Sequence, residues 1–334
     1  MRSLLQNSPT YYLGMLLLSI LLTDATRRLA LKLKFVSHPV KDRWSKRTVS
    51  LGGGIAMSLT VIIGILVLGG DLVRTVLPAI VFISVFGLID DVWGLNPYTK
   101  LIVQIIAAAF VVSKGFLLQV PWDIPAMVLT IVWIVGVTNA VNLIDNMDGL
   151  AAGATTIAAL GFGYLLTRYQ SDASVAHLSI LLACASLGFL VFNFPPAKIF
   201  MGDAGSLCLG FVLAVLSTKI RFTSDIPNFL SVIPAAFVLI IPVFDMLLVM
   251  VARQSVSKPI MSGGRDHSSH RLVALGLSER TAVLCSYLGG FGGIIAAALA
   301  LQSSPGELVA VLFAVSIGIV LFGIFLLEIA VYPA

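Results

Sequence analysis

The stretch "NAVNLIDNMDGLAAG", residues 139–153, interrupts an oily chain. "MVLTIVWIVGV" precedes it and "ATTIAALGFGYLL" follows it. Within it sit Asn139, Asn142, Asp145, Asn146 and Asp148. A carboxylate at the bilayer centre costs about 2.5–3.5 kcal/mol on insertion scales. Two carboxylates beside three amides therefore mark either a helix end reaching water or a built polar site.

The flanking runs belong to a chain that is 58% hydrophobic and only 11% charged, with a mean hydropathy of +1.03. A soluble domain carries roughly 25% charge. Eleven mostly apolar segments fall near 9–26, 50–69, 73–89, 99–118, 125–143, 151–169, 175–193, 205–221, 229–252, 281–301 and 307–330. Each is long enough for a hydrocarbon core about 30 Å thick. Lipid leaves no water for unpaired backbone groups, so so many spans predict an all-α, polytopic membrane helical bundle. The loops leave no room for a large soluble domain, and residues 1–334 are expected to form one domain. The first apolar segment lacks a small-residue cleavage site and is expected to be retained.

Orientation follows from charge. The loop "DATRRLALKLKFVSHPVKDRWSKRTVS" carries Arg27, Arg28, Lys32, Lys34, Lys41, Arg43, Lys46 and Arg47. Such Lys/Arg density marks a cytoplasmic loop. Alternation then puts loops 27–49, 90–98, 144–150, 194–204 and 253–280 on the cytoplasmic face, with the N-terminus outside and the C-terminus inside. The expected location is the inner (cytoplasmic) cell membrane. The net charge of +5 is explained by this topology and by anionic headgroups, with no nucleic acid needed. Cys184, Cys208 and Cys285 lie inside spans without metal-like spacing and read as small apolar residues. No strong internal repeat supports a transporter built from inverted halves.

The polar clusters share one face. "FGLIDDVWGLNPYTKLIVQ" brings Asp90, Asp91 and Lys100; "FNFPPAKIFMGDAGSLCLG" brings Phe200 and Asp203; "SVSKPIMSGGRDHSSHRL" brings Arg265, Asp266, His267, His270 and Arg271. Each has an ordinary structural explanation. Asp90 and Asp91 fit a hydrated helix end, Lys100 a snorkelling lysine, Phe200 interfacial packing, and Asp203 an N-cap. Asn142, Asp145 and Asp148 fit a helix dissolving into a loop stopped by Gly149. Carboxylates at a helix C-terminus, however, oppose the helix dipole. The start of the span after Asp203 also suits a phosphate. The two histidines lack a third ligand and fit a polyanion better than zinc. Hard oxygen donors favour Mg²⁺ or Mn²⁺. Arg, His and Lys would neutralise phosphate, and the sum points to phosphoryl transfer at a membrane surface.

"LIDDVWGLNPYTKLIVQ", "NAVNLIDNMDGLAAG", "FNFPPAKIFMGDAGSLCLGF" and "GGRDHSSHRL" resemble, in order, the motifs of the polyprenyl-phosphate N-acetylhexosamine-1-phosphate transferases. The resemblance runs from residue 50 to Arg271. It implies an Mg²⁺-dependent enzyme passing a sugar-1-phosphate from a UDP-sugar to a polyprenyl phosphate, with release of UMP. The loop "RDHSSHRL" lacks three consecutive histidines and so is similar to the branch that uses UDP-GlcNAc with undecaprenyl phosphate. That branch begins O-antigen, enterobacterial common antigen or teichoic acid synthesis. UDP-MurNAc-pentapeptide and other UDP-HexNAc donors are the alternatives, and a cation-coupled transporter is the alternative of another class. The resemblance assigns Asp203 and Asp145 to the metal, Asp90 to deprotonation of the lipid phosphate, Asp91 to support of the Mg²⁺–phosphate geometry, with the division between these two aspartates left open, and Lys100 to the diphosphate. It places Asn142, Asp148 and Phe200 near the nucleotide. His267, His270 and Arg271, with Arg265 beside them, fall to the donor's phosphates and sugar. Direct attack by the lipid phosphate and a route through an aspartyl-phosphate both fit these residues. Expected partners are the two substrates and membrane lipid, with a homodimer compatible.

Overall fold

The computed structural model describes residues 9–37, 48–120, 123–169, 173–222, 226–259, 264–329 and 331. Lys41, Arg43, Lys46 and Arg47 of the basic loop lie outside them. The fold is nearly all helical. A helix lies over each of the eleven apolar segments. These are α1 (Pro9–Lys32), α2 (Gly53–Leu68), α4 (Leu77–Trp93), α5 (Pro97–Ser113), α6 (Asp123–Leu143), α7 (Leu150–Tyr169), α8 (Ala173–Asn193), α9 (Gly202–Ser217), the pair α10 (Val232–Val238) and α11 (Ile240–Ser255), α13 (Glu279–Gln302) and α14 (Pro305–Leu327). The short helices α3 (Leu72–Thr75) and α12 (Ser268–Ala274) complete the set. Five helices, α6, α7, α8, α13 and α14, are individually long and apolar enough to cross a membrane, and the α10–α11 pair makes a sixth if counted as one span. The chain is a multi-pass membrane protein.

Local sequence explains the ends. Asn96 caps α5 by accepting from the Tyr98 N–H, with Pro97 pre-set in the first turn. Ser304 and Glu307 form a capping box on α14. Gly94, at φ 67°, closes α4 in the left-handed conformation.

Three details differ from expectation. The segment 229–252 is not one straight helix: α10 and α11 meet at 91°. Pro242 has no N–H for the Val238 carbonyl and its ring crowds that oxygen, so the helix stops at Val238 and restarts after Leu239. The basic loop begins late, because α1 continues to Lys32; Asp24 pairs with Arg27 and Arg28 at 2.7 Å each, supporting the extra turns. A two-residue antiparallel ribbon, β1 (Val36–Ser37) with β2 (Val49–Ser50), also appears, and Ser50 bridges to Ile199.

That bridge fixes the centre of the bundle. The Phe200 N–H donates to Ser50 O, and the Gly53 and Gly54 N–H groups donate to Phe200 O and Met201 O. The start of α2 is thereby docked on the start of α9. Helix α9 is buried continuously from Ala204 to Ser217, packed among α2, α4 and α6. At the other extreme, α14 has only two buried residues, Leu308 and Leu326. Gly54 permits the α2–α9 approach, since a Cβ there would lie 2.6 Å from the Ala204 carbonyl carbon and Gly205 Cα. Gly54→Ala is expected to lower the melting temperature in detergent, at a cost of about 1–3 kcal/mol. Gly292→Ala, where a Cβ meets nothing within 4 Å, should not. Equal melting shifts for the two variants would contradict this packing.

Candidate active site

The C-terminal ends of α4, α6 and α8 and the N-terminal ends of α5 and α9 converge on one cavity of about 500 Å³. Its lining includes Asp90, Asp91, Lys100, Asn142, Asp145, Asp148, Phe200, Asp203, His267 and His270. Ten of the twelve residues given a role from the sequence therefore share one space, although they come from four separated segments.

Asp203 is its centre. It lies in the first turn of α9 rather than at the N-cap, which is Met201 and has no side-chain cap. The N–H groups of Asp203 and Ala204 point at Asp91, whose two carboxylate oxygens accept them at 2.7 and 3.1 Å. The helix start expected to suit a phosphate thus already holds an internal anion. Gly202, at φ +70°, makes room: a Cβ there would fall 2.6 Å from Asp91 Oδ1. The Asp203 carboxylate faces the cavity side, accepting from Lys100 Nζ at 2.7 Å and Asn142 Nδ2 at 3.1 Å. Asn142 also donates to Ser206 Oγ at 2.7 Å. Lys100 pairs with Asp90 as well, and Asp90 Oδ1 accepts the Leu95 N–H at 2.6 Å. Successive helical residues point about 100° apart. The adjacent aspartates therefore divide their tasks, Asp90 to the lysine and Asp91 to the helix start.

Behind this core lies a second layer. Gln104 and Asn139 exchange amide hydrogen bonds at 2.6 and 3.3 Å one turn deeper, tying α5 to α6. Asp145 and Asp148 are not helical, because α6 stops at Leu143. Asp148 Oδ2 accepts the Ala197 N–H at 2.8 Å, and Asn193 accepts from Gly149 while donating to Ile199 O. These bonds fold the loop after α6 onto the segment carrying Phe200.

The histidine segment enters from the other side. His267 and His270 line the cavity with rings edge-on, centroids 5.4 Å apart. Arg265 and Arg271 are not in the lining. Arg271 is buried at 2% exposure, donating to the carbonyls of Asp266, Leu326 and Ile329 at 2.9–3.0 Å. These bonds join α12 to the end of α14. Sequence reading missed Asp245, Arg253 and Asp266 as a group. Arg253 makes a two-point pair with Asp266, and Asp245 accepts from the His267–Ser268 segment. A lone carboxylate in "IIPVFDMLLVM" was the available signal.

With this geometry in hand, comparison with known proteins places the chain. The profile of Glycosyl transferase family 4 matches residues 73–221. Over 291 residues the chain is 35% identical to the probable undecaprenyl-phosphate N-acetylglucosaminyl 1-phosphate transferase of Bacillus subtilis (strain 168), covering 83% of this chain and 80% of that protein. It is 34% identical over 326 residues to the decaprenyl-phosphate N-acetylglucosaminephosphotransferase of Mycolicibacterium smegmatis, covering 85% and 80%. A phospho-N-acetylmuramoyl-pentapeptide-transferase of Streptococcus thermophilus is 36% identical over a shorter stretch of 151 residues, 42% of this chain and 44% of that protein. The chain belongs to glycosyl transferase family 4.

Burial, reinforced by the neighbouring His267, pushes the His270 imidazole down to about 4. The unfolded chain takes up this proton below about 6.5, whereas the folded protein does not until about 4. Titration of His270 thus leaves stability unchanged above about pH 6.5 and lowers it progressively between there and pH 4, by an amount on the order of 3 kcal/mol. Melting temperatures between pH 7.5 and 4.5 should fall less steeply for His270→Gln than for the parent. Parallel curves would place the imidazole in a less buried setting.

Proposed function

We propose that the protein transfers GlcNAc-1-phosphate from UDP-GlcNAc to undecaprenyl phosphate, releasing UMP. The observation that carries this is the Asp90–Lys100–Asp203–Asn142 cluster in a cavity at the helix ends. The printed names of the two long matches support the donor and a polyprenyl acceptor. The cavity belongs to the cytoplasmic face of the inner membrane, where a soluble nucleotide and a lipid phosphate meet. Eleven crossings, with the N-terminus outside and the C-terminus inside, fit the helix order. A cation-coupled transporter fits less well, because the acidic cluster gathers at helix ends rather than near the midplane.

Mg²⁺ is the expected cofactor, with Mn²⁺ as a substitute. Among the described residues, no group of three or more His, Cys, Asp or Glu side chains is arranged as a metal cage. Mg²⁺ binds through one or two carboxylates together with substrate phosphates. The cavity's acidic and amide oxygens fit it, and the Lys100 ammonium held between Asp90 and Asp203 marks a place that selects positive charge. Asp203 and Asp145 would hold the ion, which supplies Lewis-acid stabilisation of the diphosphate.

The reaction needs an oxygen of the lipid phosphate to bond to the β-phosphorus of UDP-GlcNAc while the bond to the bridging oxygen breaks and UMP departs. Asp90 takes the proton of a lipid phosphate monoanion on Oδ2 in this reading, as Lys100 turns from carboxylate to phosphate. Lys100 then neutralises charge on the transferred group. Asn142 keeps Asp203 oriented, Asp91 anchors α9, and Phe200 and Asp148 flank the nucleotide side.

Purified protein with UDP-GlcNAc, undecaprenyl phosphate and Mg²⁺ should release UMP and stop on chelation. Asp203→Asn and Lys100→Met should each reduce turnover by roughly 10²-fold or more. The absence of UMP with every UDP-HexNAc tried, including UDP-MurNAc-pentapeptide, would refute the reading. Asp91→Asn should lower the melting temperature as well as the rate, since it weakens the acceptor at the α9 start, at about 0.5–2 kcal/mol.

A further inference from the structure

The segment Asp266–Ser268 hangs from α11 by two buried charges. Asp245 and Arg253, each 1% exposed, are eight positions apart on that helix and so share a face. Arg253 donates from Nε and Nη2 to Asp266 Oδ2 and Oδ1 at 2.7 and 2.9 Å. Asp245 Oδ1 accepts from the Ser268 N–H at 2.7 Å and the Ser268 hydroxyl at 2.6 Å. Its other oxygen, Oδ2, lies 2.7 Å from His267 Nδ1. Capping α12 requires only the contacts to Ser268. The contact to His267 is additional and reaches a ring that lines the catalytic cavity.

An ionised carboxylate only accepts hydrogen bonds, so Nδ1 must carry the hydrogen. Nε2, on the opposite edge of the ring, is then the nitrogen that gains or loses a proton. It lies 3.9 Å from Asp266 Oδ1, beyond hydrogen-bond range. Asp245 from α11, Asp266 from its own segment and His270 from α12 approach the ring, Arg253 pairs with Asp266, and Asp90, Asp91, Lys100, Asp145, Asp148 and Asp203 line the same cavity. Arg253 offsets Asp266, which leaves Asp245 as the anion bonded directly to the imidazole.

We propose that Asp245 is a positioning residue for His267: it holds the Nδ1–H so that Nε2 is presented to the donor's diphosphate and carries a proton there. The resulting imidazolium grips a phosphate oxygen as charge moves toward the leaving UMP. The proton resides on Nε2 and no covalent bond to the ring forms. This role rests on the transfer reading above.

Asp245→Asn replaces an acceptor with an amide that can turn N–H toward Nδ1, favouring the other tautomer and removing the anion. The expected result is a fall of roughly 10²-fold in kcat/KM for UDP-GlcNAc, with the KM for undecaprenyl phosphate unchanged within threefold. In a His267→Gln background, Asp245→Asn should add nothing further. A purely structural brace predicts equal losses in both backgrounds, and that result overturns the proposal. Nitrogen-15 spectra of the parent protein, with His267 assigned by comparison with His267→Gln, give a readout independent of activity. A protonated Nδ1 supports the pairing and a lone-pair Nδ1 overturns it, including where Asp245→Asn does not fold. An inactive parent with a protonated Nδ1 would count against the transfer reading, not against the pairing.

Discussion

The carboxylate of Asp91 lies across the first N–H groups of a helix surrounded by other helices. A helix start buried away from water has donors that must be satisfied from within the protein. Asp91 supplies both acceptors and places a negative charge where the helix dipole favours it. Once α9 is seated, Asp203 has a fixed direction. Lys100 and Asn142 can reach its carboxylate only from the facing ends of α5 and α6. The polar cluster is therefore a consequence of how a central buried helix begins.

That dependence explains how so few polar groups define a site in an oily chain. Burying carboxylates beside one another is unfavourable unless a cation and hydrogen-bond donors compensate. Lys100 between Asp90 and Asp203 provides the first, and the Leu95 N–H and Asn142 amide provide the second. The proposed reaction requires this set to be partly unmade when phosphates arrive. A lysine that now neutralises protein carboxylates is available to substrate in exchange for little rearrangement of the backbone.

Much of this was legible in the sequence. Apolar length marked where helices lie, and alternation across the membrane gathered Asp90, Asn142 and Asp203 at one face. Side-chain direction was less legible. Adjacent aspartates look equivalent as letters but diverge on a helix, which is why Asp90 and Asp91 hold different partners. Arg271 sits among phosphate-seeking residues in "RDHSSHRL", yet its guanidinium turns to backbone carbonyls of α14. Nothing in local spacing reveals that a helix end 55 residues later supplies those acceptors. Pro242 did announce the break between α10 and α11, but hydropathy averaged over 229–252 smoothed it away.

The Arg271 contacts give the end of the chain an influence on chemistry it never touches. Helix α14 faces outward along nearly all its length, so it looks dispensable to the bundle. Its final carbonyls nevertheless complete the hydrogen bonding of a buried cation one residue from His270. Trimming the protein before Leu326, or straining that end with a fused partner, would leave a guanidinium in a dry pocket with too few acceptors. The histidine segment would shift to seek water. Where an affinity handle is attached is thus a choice about the active site as well as about purification.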